Sequence, residues 1–340
     1  MTTPAPIRAR IPAVGLCGPR PGPLVTAPGP AGPSRAAPGA HAPLDPTAGA
    51  ARRHRKDART MTRIDWGYAA STGLEFTRDD IVAAHFAACA EDYLAALRGV
   101  GIAPGWRVLD AGCGGGSFLP CLAEAVGPDG WLAAVDLAPE NVAASARRAL
   151  PVTFRRPPDI RHGDLLALPY PDDSFDAVWC ANTTQYLDDA ELRRALVEMR
   201  RVVRPGGLVA VKDLDASLIA VRPGDPFAFA DFFRLASAQG DGYARRLLRT
   251  RELRRHLAEA GLAEVRQRTT VIEHFAPMPA PVRRFYGLAC ARIAQLALAH
   301  GVRGDWHRLT DPDAPGHPLR DPLGYVSEGN TTAVGVVPPA

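Results

Sequence analysis

Between residues 79 and 101, Val82, Phe86, Cys89, Tyr93 and Leu97 recur at steps of three and four, which puts them on one face of a helix closed by Gly99 and Gly101. After Gly101 the period changes. Short apolar runs at Arg107–Ala111, Trp131–Leu137, Asp159–His162, Ala177–Ala181 and Leu208–Asp213 read as strands, and Phe118–Val126, Pro139–Ala149 and Ala190–Val203 between them read as helices. Strands alternating with helices predict a parallel sheet covered on both faces, a doubly wound α/β fold. Arg204-Pro205-Gly206-Gly207 reads as a helix stop and turn before the fifth strand. Downstream, Asp225–Ala238 and Ala280–His300 are apolar helical stretches. Thr250–Ala260 is an amphipathic one, with Thr250 as its N-cap and Gly261 as its C-terminal cap. Val265–Ile272 and Thr331–Val337 complete the strands, and no internal repeat occurs.

Residues 1–60 break this pattern. They contain 12 Pro, 7 Gly and 13 Ala with almost no large apolar side chains, so the segment cannot bury enough surface to offset its ordering entropy and is expected to be disordered. Ile11–Leu16 is too short for a secretory h-region and is interrupted by Pro12. Met61 opens normal composition and reads as the true start, with the first 60 residues a start-site artefact and the folded domain running over 61–340. The net charge of +4 also belongs to this tail. Residues 1–60 carry nine Arg/Lys against two Asp, a balance of +7, whereas the remaining 280 residues carry 31 basic and 34 acidic groups, a balance of −3. A nucleic-acid footprint on the folded part is therefore not expected. With 46% hydrophobic residues there is ample material for a core, yet no uninterrupted apolar run reaches the roughly 18 residues of a spanning helix. The six cysteines (17, 89, 113, 121, 180 and 290) form no C-x-x-C pair and no zinc-type cluster, so reduced thiols, a cytoplasmic location and no metal site are expected.

The chemistry is concentrated at Arg107-Val108-Leu109-Asp110-Ala111-Gly112-Cys113-Gly114-Gly115-Gly116-Ser117, a strand ending in an acid followed by alternating glycines that turn into a helix. Glycine serves where the backbone takes positive φ or where a ligand approaches without a Cβ in the way. A loop of this kind at the carboxyl end of a central strand is where open α/β sheets bind nucleotides. Asp136 ends the second strand 26 residues after Asp110, where a carboxylate can accept both hydroxyls of a ribose and repel a 2′-phosphate. Four further blocks follow in order: His162-Gly163-Asp164-Leu165, Ser174–Trp179, Asn182-Thr183-Thr184-Gln185-Tyr186-Leu187 and Val203–Gly207.

In these motifs the chain resembles class I S-adenosylmethionine (SAM)-dependent methyltransferases of the ubiquinone/menaquinone-biosynthesis and related small-molecule type. The resemblance covers about residues 74–213 motif by motif, and Thr250–Val271 more loosely. It implies a Rossmann-like seven-stranded sheet whose last strand, Thr331–Val337, is antiparallel, with SAM as cofactor. It further implies a cofactor site made of Asp110, Gly112, Gly114, Gly116, Asp136, Leu137, Asp164, Leu165, Asn182 and Gln185. Asp136 would hold the ribose, Asp164 would face the adenine amino group beside the Leu165 amide, and Cys180–Asn182 would line the methionine end with Gln185 nearby. Relatives often carry a histidine pair where this chain has Gln185-Tyr186.

The expected reaction moves a methyl group to an O, N or C nucleophile of a small, apolar or aromatic metabolite. A protein or peptide acceptor and a non-catalytic SAM-binding domain are the alternatives. A dinucleotide-dependent dehydrogenase fits less well, because Gly112-x-Gly114-x-x-Ser117 places serine where that fingerprint wants Gly or Ala. Candidate catalytic residues are His274, Asp213 and Asp215, while His85 reads as a boundary residue beside Phe86. The acceptor cap is expected from segments about 61–100, 214–244 and 278–302. Phe229, Phe232 and Phe233 share one helical face there, either as a roof over the acceptor or as core.

Overall fold

Strands β1 (Arg107–Ala111), β2 (Trp131–Asp136) and β3 (Asp159–His162) pair in parallel on one side, and β4 (Phe175–Ala181) pairs in parallel with the opposite edge of β1. Beyond β4 lie β5 (Val203–Arg222), then β7 (Tyr325–Val336) and β6 (Ala263–Phe275), with β7 antiparallel to both neighbours. The order β3-β2-β1-β4-β5-β7-β6 makes one seven-stranded, doubly wound sheet, in which the chain reverses direction across the sheet between β1 and β4. The computed structural model describes residues 65–339 apart from Ala70, Glu75, Ala149 and Asp241, all within one compact unit, Arg59–Ala340. The expectation of disorder over residues 1–60, and Cys17, lie outside the described residues.

The strands are apolar on both sides because both faces are covered. Val108 faces one core cluster and Leu109 the other; along β4, Ala177, Trp179 and Ala181 alternate in the same way with Val178 and Cys180. Helices α1 (Asp79–Arg98), α2 (Leu119–Val126), α5 (Ala228–Ala238), α6 (Gly242–Arg249) and α8 (Ala280–Ala299) pack in the first cluster. Helices α4 (Asp189–Val202) and α7 (Leu253–Glu259) pack in the second, while α3 (Pro139–Ala146) follows β2. A capping box starts α4: Asp188 Oδ1 accepts from the Ala190 and Glu191 amides, and Glu191 Oε2 accepts from the Asp188 amide.

Several sequence expectations are corrected. Thr250 does not cap a helix; its hydroxyl donates to the Leu214 carbonyl, and a short 3-10 turn, Thr250–Glu252, precedes α7. Gly261, in contrast, closes α7 at φ +83°, with Leu262 N donating to Leu257 O. Arg204–Gly207 is a bulge inside the extended β5, where pairing jumps from Phe175–Val203 to Ala177–Leu208. Helix α6 and the outer halves of β5 and β7 are additional elements. Among the described residues, no helix is long and apolar enough to cross a membrane.

Candidate functional site

The Gly112–Gly116 loop leaves the carboxyl end of β1 and is tied to β2 by the Gly112 and Cys113 amides, which both donate to Val135 O at 2.9 and 3.0 Å. At Gly112 (φ +79°) a Cβ would sit 2.4–2.9 Å from the Thr183 side chain, so no other residue fits. At Gly114 (φ +53°) a Cβ would meet only Val82 Cγ1, at 3.9 Å, and would project into the cleft. The backbone therefore lies open to a ligand at this point.

Asp136 is nearly buried and uses both oxygens on the protein: Oδ2 accepts from Gly114 N at 2.8 Å, and Oδ1 accepts from Ala138 N at 2.9 Å and Asn141 Nδ2 at 3.0 Å. Of roughly four acceptor positions on a carboxylate three are filled, which leaves one, on Oδ2, for a ligand hydroxyl rather than the pair expected from sequence. Asp164 and Leu165 line the cleft, with Asp164 Oδ1 also accepting from Leu166 N at 2.9 Å. Leu137, Asn182 and Gln185 line it too, and Gln185 Oε1 is buried without a partner.

Two expected cofactor residues lie behind this surface. Gly116 packs where a Cβ would strike Leu119 and Ser145, so it shapes the loop and does not line the cleft. Asp110 is likewise beneath the loop, buried, with Oδ2 unpartnered; burial and then the Asp136 charge push its carboxyl up to about 8.

The cleft is a cavity of about 230 Å³ that runs from the glycine loop to an aromatic wall of Trp66, Phe76, Phe86, Phe233, Tyr243 and Phe285. Its described lining contains Asp136 and Asp164 but no Arg or Lys. That balance suits a cationic ligand and not a pyrophosphate, which open α/β folds usually hold with basic groups and helix N-termini. The orphaned Gln185 oxygen, the open Gly114 backbone and the acidic lining together fit the SAM implied by the sequence.

None of the three expected catalytic residues faces the cleft. His274 lies against the Tyr286 ring with Nε2 buried and unpartnered, and burial pushes its imidazole down. Asp213 accepts from Thr184 Oγ1 beneath the floor, and burial pushes its carboxyl up to about 6. Asp215 is consumed by Ser217 and an ion pair with Arg251. The Phe229–Phe233 face divides: Phe233 lines the cleft, whereas Phe229 and Phe232 pack on Trp306 as core, and Phe227 is exposed.

A polar network missed by sequence reasoning runs under the acceptor end. Lys212 is fully buried, donates to Asn182 Oδ1 at 2.7 Å and lies 3.2 Å over the Tyr93 ring, with burial pulling its amine down to about 8. Tyr93 donates to Glu328 Oε1 at 3.2 Å, and His85 Nε2 lies 2.9 and 3.0 Å from the two Glu328 oxygens. Burial pushes the Glu328 carboxyl up, but the charge and hydrogen bond of His85 and then the Lys212 charge outweigh it and hold it at about 2. His85 stacks on Phe285 at 3.9 Å and lines the cleft. His85, Cys89 and Glu328 also bring their ligand-type atoms within 4.8 Å, against the expectation that no such cluster exists. Cys89 is buried, and burial and then the Glu328 charge raise its thiol. The signal available in sequence was the i, i+4 pair His85 and Cys89; Glu328, 243 positions from His85, gave none.

Residues 108–207 match the family described as "Methyltransferase domain". The chain is 39% identical over 115 residues to an uncharacterised 37.1 kDa protein in transposon TN4556 of Streptomyces fradiae, covering 33% of this chain and 31% of that protein. It is 32% identical over 144 residues to demethylmenaquinone methyltransferase of Lysinibacillus sphaericus, covering 41% of this chain and 56% of that enzyme. The chain thus spans from a third to about half of the length of these curated relatives. A solved structure, YcgJ of Bacillus subtilis, superposes at TM-score 0.47 and 19% identity over 74% of this chain and 100% of that one. The matched residues run from β1 through the glycine loop at the switch point into β5 of the seven-stranded sheet.

Proposed function

We propose that the protein transfers a methyl group from SAM to a small, apolar or aromatic acceptor. The observation that carries this is one continuous cleft, with the glycine loop and Asp136 at one end and the aromatic wall at the other. The SAM site is assigned to Gly112, Gly114, Asp136, Leu137, Asp164, Leu165, Asn182 and Gln185, with Asp110 and Gly116 supporting it from below. When bound, SAM supplies a methyl group on a sulfonium. Asp136, held by the Gly114 amide, fixes the ribose end, Asp164 and Leu165 take the adenine, and Asn182, held by Lys212, sits at the methionine end. The domain is assigned to residues 61–340 and its acceptor cap to about 61–100, 214–244 and 278–302, which supply the aromatic wall.

Alignment of donor and acceptor in a dry pocket supplies much of the rate. Where the nucleophile is anionic, opposite charges neutralise in the transition state, and a low-dielectric wall favours that step. The demethylmenaquinone methyltransferase relative supports an aromatic acceptor over a peptide. Calorimetry with the full chain tests the reading. SAM and S-adenosylhomocysteine are expected to bind and NAD to fail, and tight NAD binding without SAM binding would refute it.

A further inference from the structure

We infer that His85 is the base of the acceptor site and Glu328 its positioning residue, so that the acceptor carries an ionisable hydroxyl on an aromatic or enolic carbon. This deepens the methyltransferase reading above and rests on it. Val82 on α1 lies against Gly114, and His85 and Phe86, one turn further along the same helix, line the acceptor end of the same cleft. Among the described residues, both hydrogen-bond partners of the His85 ring, Glu328 and the Tyr93 hydroxyl at 2.9 Å, are met through Nε2. A buried carboxylate against Nε2 fixes the proton on that nitrogen and leaves the lone pair on Nδ1, the ring nitrogen free to meet an acceptor. Stacking on Phe285, with planes 6° apart, holds the ring in place.

The chemistry of this pair selects the nucleophile. A neutral amine already presents its lone pair, whereas a phenolic or enolic hydroxyl attacks well only after losing its proton. In the proposed step, Nδ1 takes the hydroxyl proton. The oxygen lone pair forms the bond to the methyl carbon as the carbon–sulfur bond breaks, and that bond's electrons stay on sulfur. The imidazolium so formed faces the Glu328 carboxylate, which stabilises it without taking the proton. The other ionisable groups around His85 and Glu328 are Cys89, Asp92 and Tyr93 from α1, Lys212 from β5, His274 from β6 and Tyr286 from α8; burial and then the Glu91 charge raise the Asp92 carboxyl. Burial raises both tyrosines and Cys89, so these stay neutral, and Lys212 is the cation already facing Glu328.

The test uses the full chain, labelled with nitrogen-15 in histidine and saturated with S-adenosylhomocysteine, with 4-nitrophenol as probe. His85, identified by difference from His85→Gln, is expected as the Nε2–H tautomer. The bound probe is expected to ionise about one pH unit or more below the free probe, by the usual size of such a charge interaction. His85→Gln should abolish that displacement and, with SAM in place of S-adenosylhomocysteine, slow methylation of the probe by about 100-fold. Glu328→Gln should move the ionisation upward while S-adenosylhomocysteine affinity stays unchanged. A proton on Nδ1, identical probe ionisation in wild type and His85→Gln, or zinc co-purifying in equimolar amount would each overturn the assignment, the first on the wild type alone. Binding of S-adenosylhomocysteine without any binding of the probe would overturn the hydroxyl class only. Failure of S-adenosylhomocysteine to bind would overturn the methyltransferase reading itself.

Discussion

Replacing Asp136 by Asn removes one charge at the point where the protein holds its own loop and, on our reading, the ribose. The amide oxygen can keep the place of Oδ1, accepting from Ala138 N and Asn141 Nδ2. Its NH2 group then takes the place of Oδ2 and faces the Gly114 amide, donor against donor, where a 2.8 Å charge-assisted bond stood. The one acceptor position left for a ligand hydroxyl is on that same oxygen, so the loop bond and the ligand bond are lost together. A hydrogen bond to a charged group contributes about 1.5–3 kcal/mol. Every 1.4 kcal/mol is about tenfold in affinity, so the variant should bind SAM about 10- to 150-fold more weakly. The fold should survive, because two of the three protein contacts remain and a nearly buried charge is relieved; a melting-temperature loss of only a few degrees is expected, at about 2–4 °C per kcal/mol. Calorimetry with SAM, paired with a thermal melt, reads both quantities. A folded variant whose SAM affinity stays within about threefold, well under one such hydrogen bond, would refute the reasoning.

Other perturbations separate structure from binding in the same way. Gly112→Ala should lower stability strongly as well as SAM affinity because its Cβ meets Thr183, whereas Gly114→Ala, which carries only the left-handed backbone cost of about 1–2 kcal/mol, should lower the melting temperature less and lose SAM; the reverse order in thermal melts would contradict the loop geometry. Phe229→Ala should destabilise by about 3–5 kcal/mol, as for an emptied core site, without changing acceptor KM. Phe233→Ala should raise that KM as well, and equal kinetics in the two variants would remove Phe233 from the acceptor wall. Glu328 is held at about 2 when folded, below its ordinary 4.5, so its stabilisation is complete above pH 4.5 and is lost as pH falls through 2; acid denaturation of Glu328→Gln should lack that component. A chain beginning at Met61 should keep its melting temperature and SAM affinity, and a drop of several degrees would show that the preceding residues dock.

The central sheet was legible because burial on both faces leaves an unbroken apolar run. Arg107–Ala111 and Asp159–His162 coincide with β1 and β3, β2 and β4 differ from expectation by one or two residues at one end, and β5 runs well past the expected Leu208–Asp213 at both ends. Helix α6 was hidden by Gly240 and Gly242 at its start and by its arginines, although Tyr243, Ala244 and Leu247 give it a buried side. The glycine loop was legible for a different reason. Gly112 and Gly114 are fixed by backbone conformation and close approach, which act locally, and Asp136, 22 residues from Gly114, is brought to them by the pairing of β1 with β2.

The outer strands and the acceptor site were illegible for one shared reason. Ser327, Glu328, Gly329 and Asn330 lie ahead of the strand expected at Thr331–Val337, yet they belong to the buried first half of β7, paired with β5 and β6 beyond the parallel part of the sheet. Burying a carboxylate there is tolerable only with partners, and they come from α1 and β5: His85, Tyr93 and Lys212. An apolar residue at 328 would make the strand easy to recognise and would leave His85 Nε2 only the neutral Tyr93 hydroxyl as partner. The polarity that disguises the strand is therefore the polarity that orients the imidazole. Hydrophobic periodicity reports where a chain is packed, and it fails at the positions where a buried network has displaced packing for chemistry.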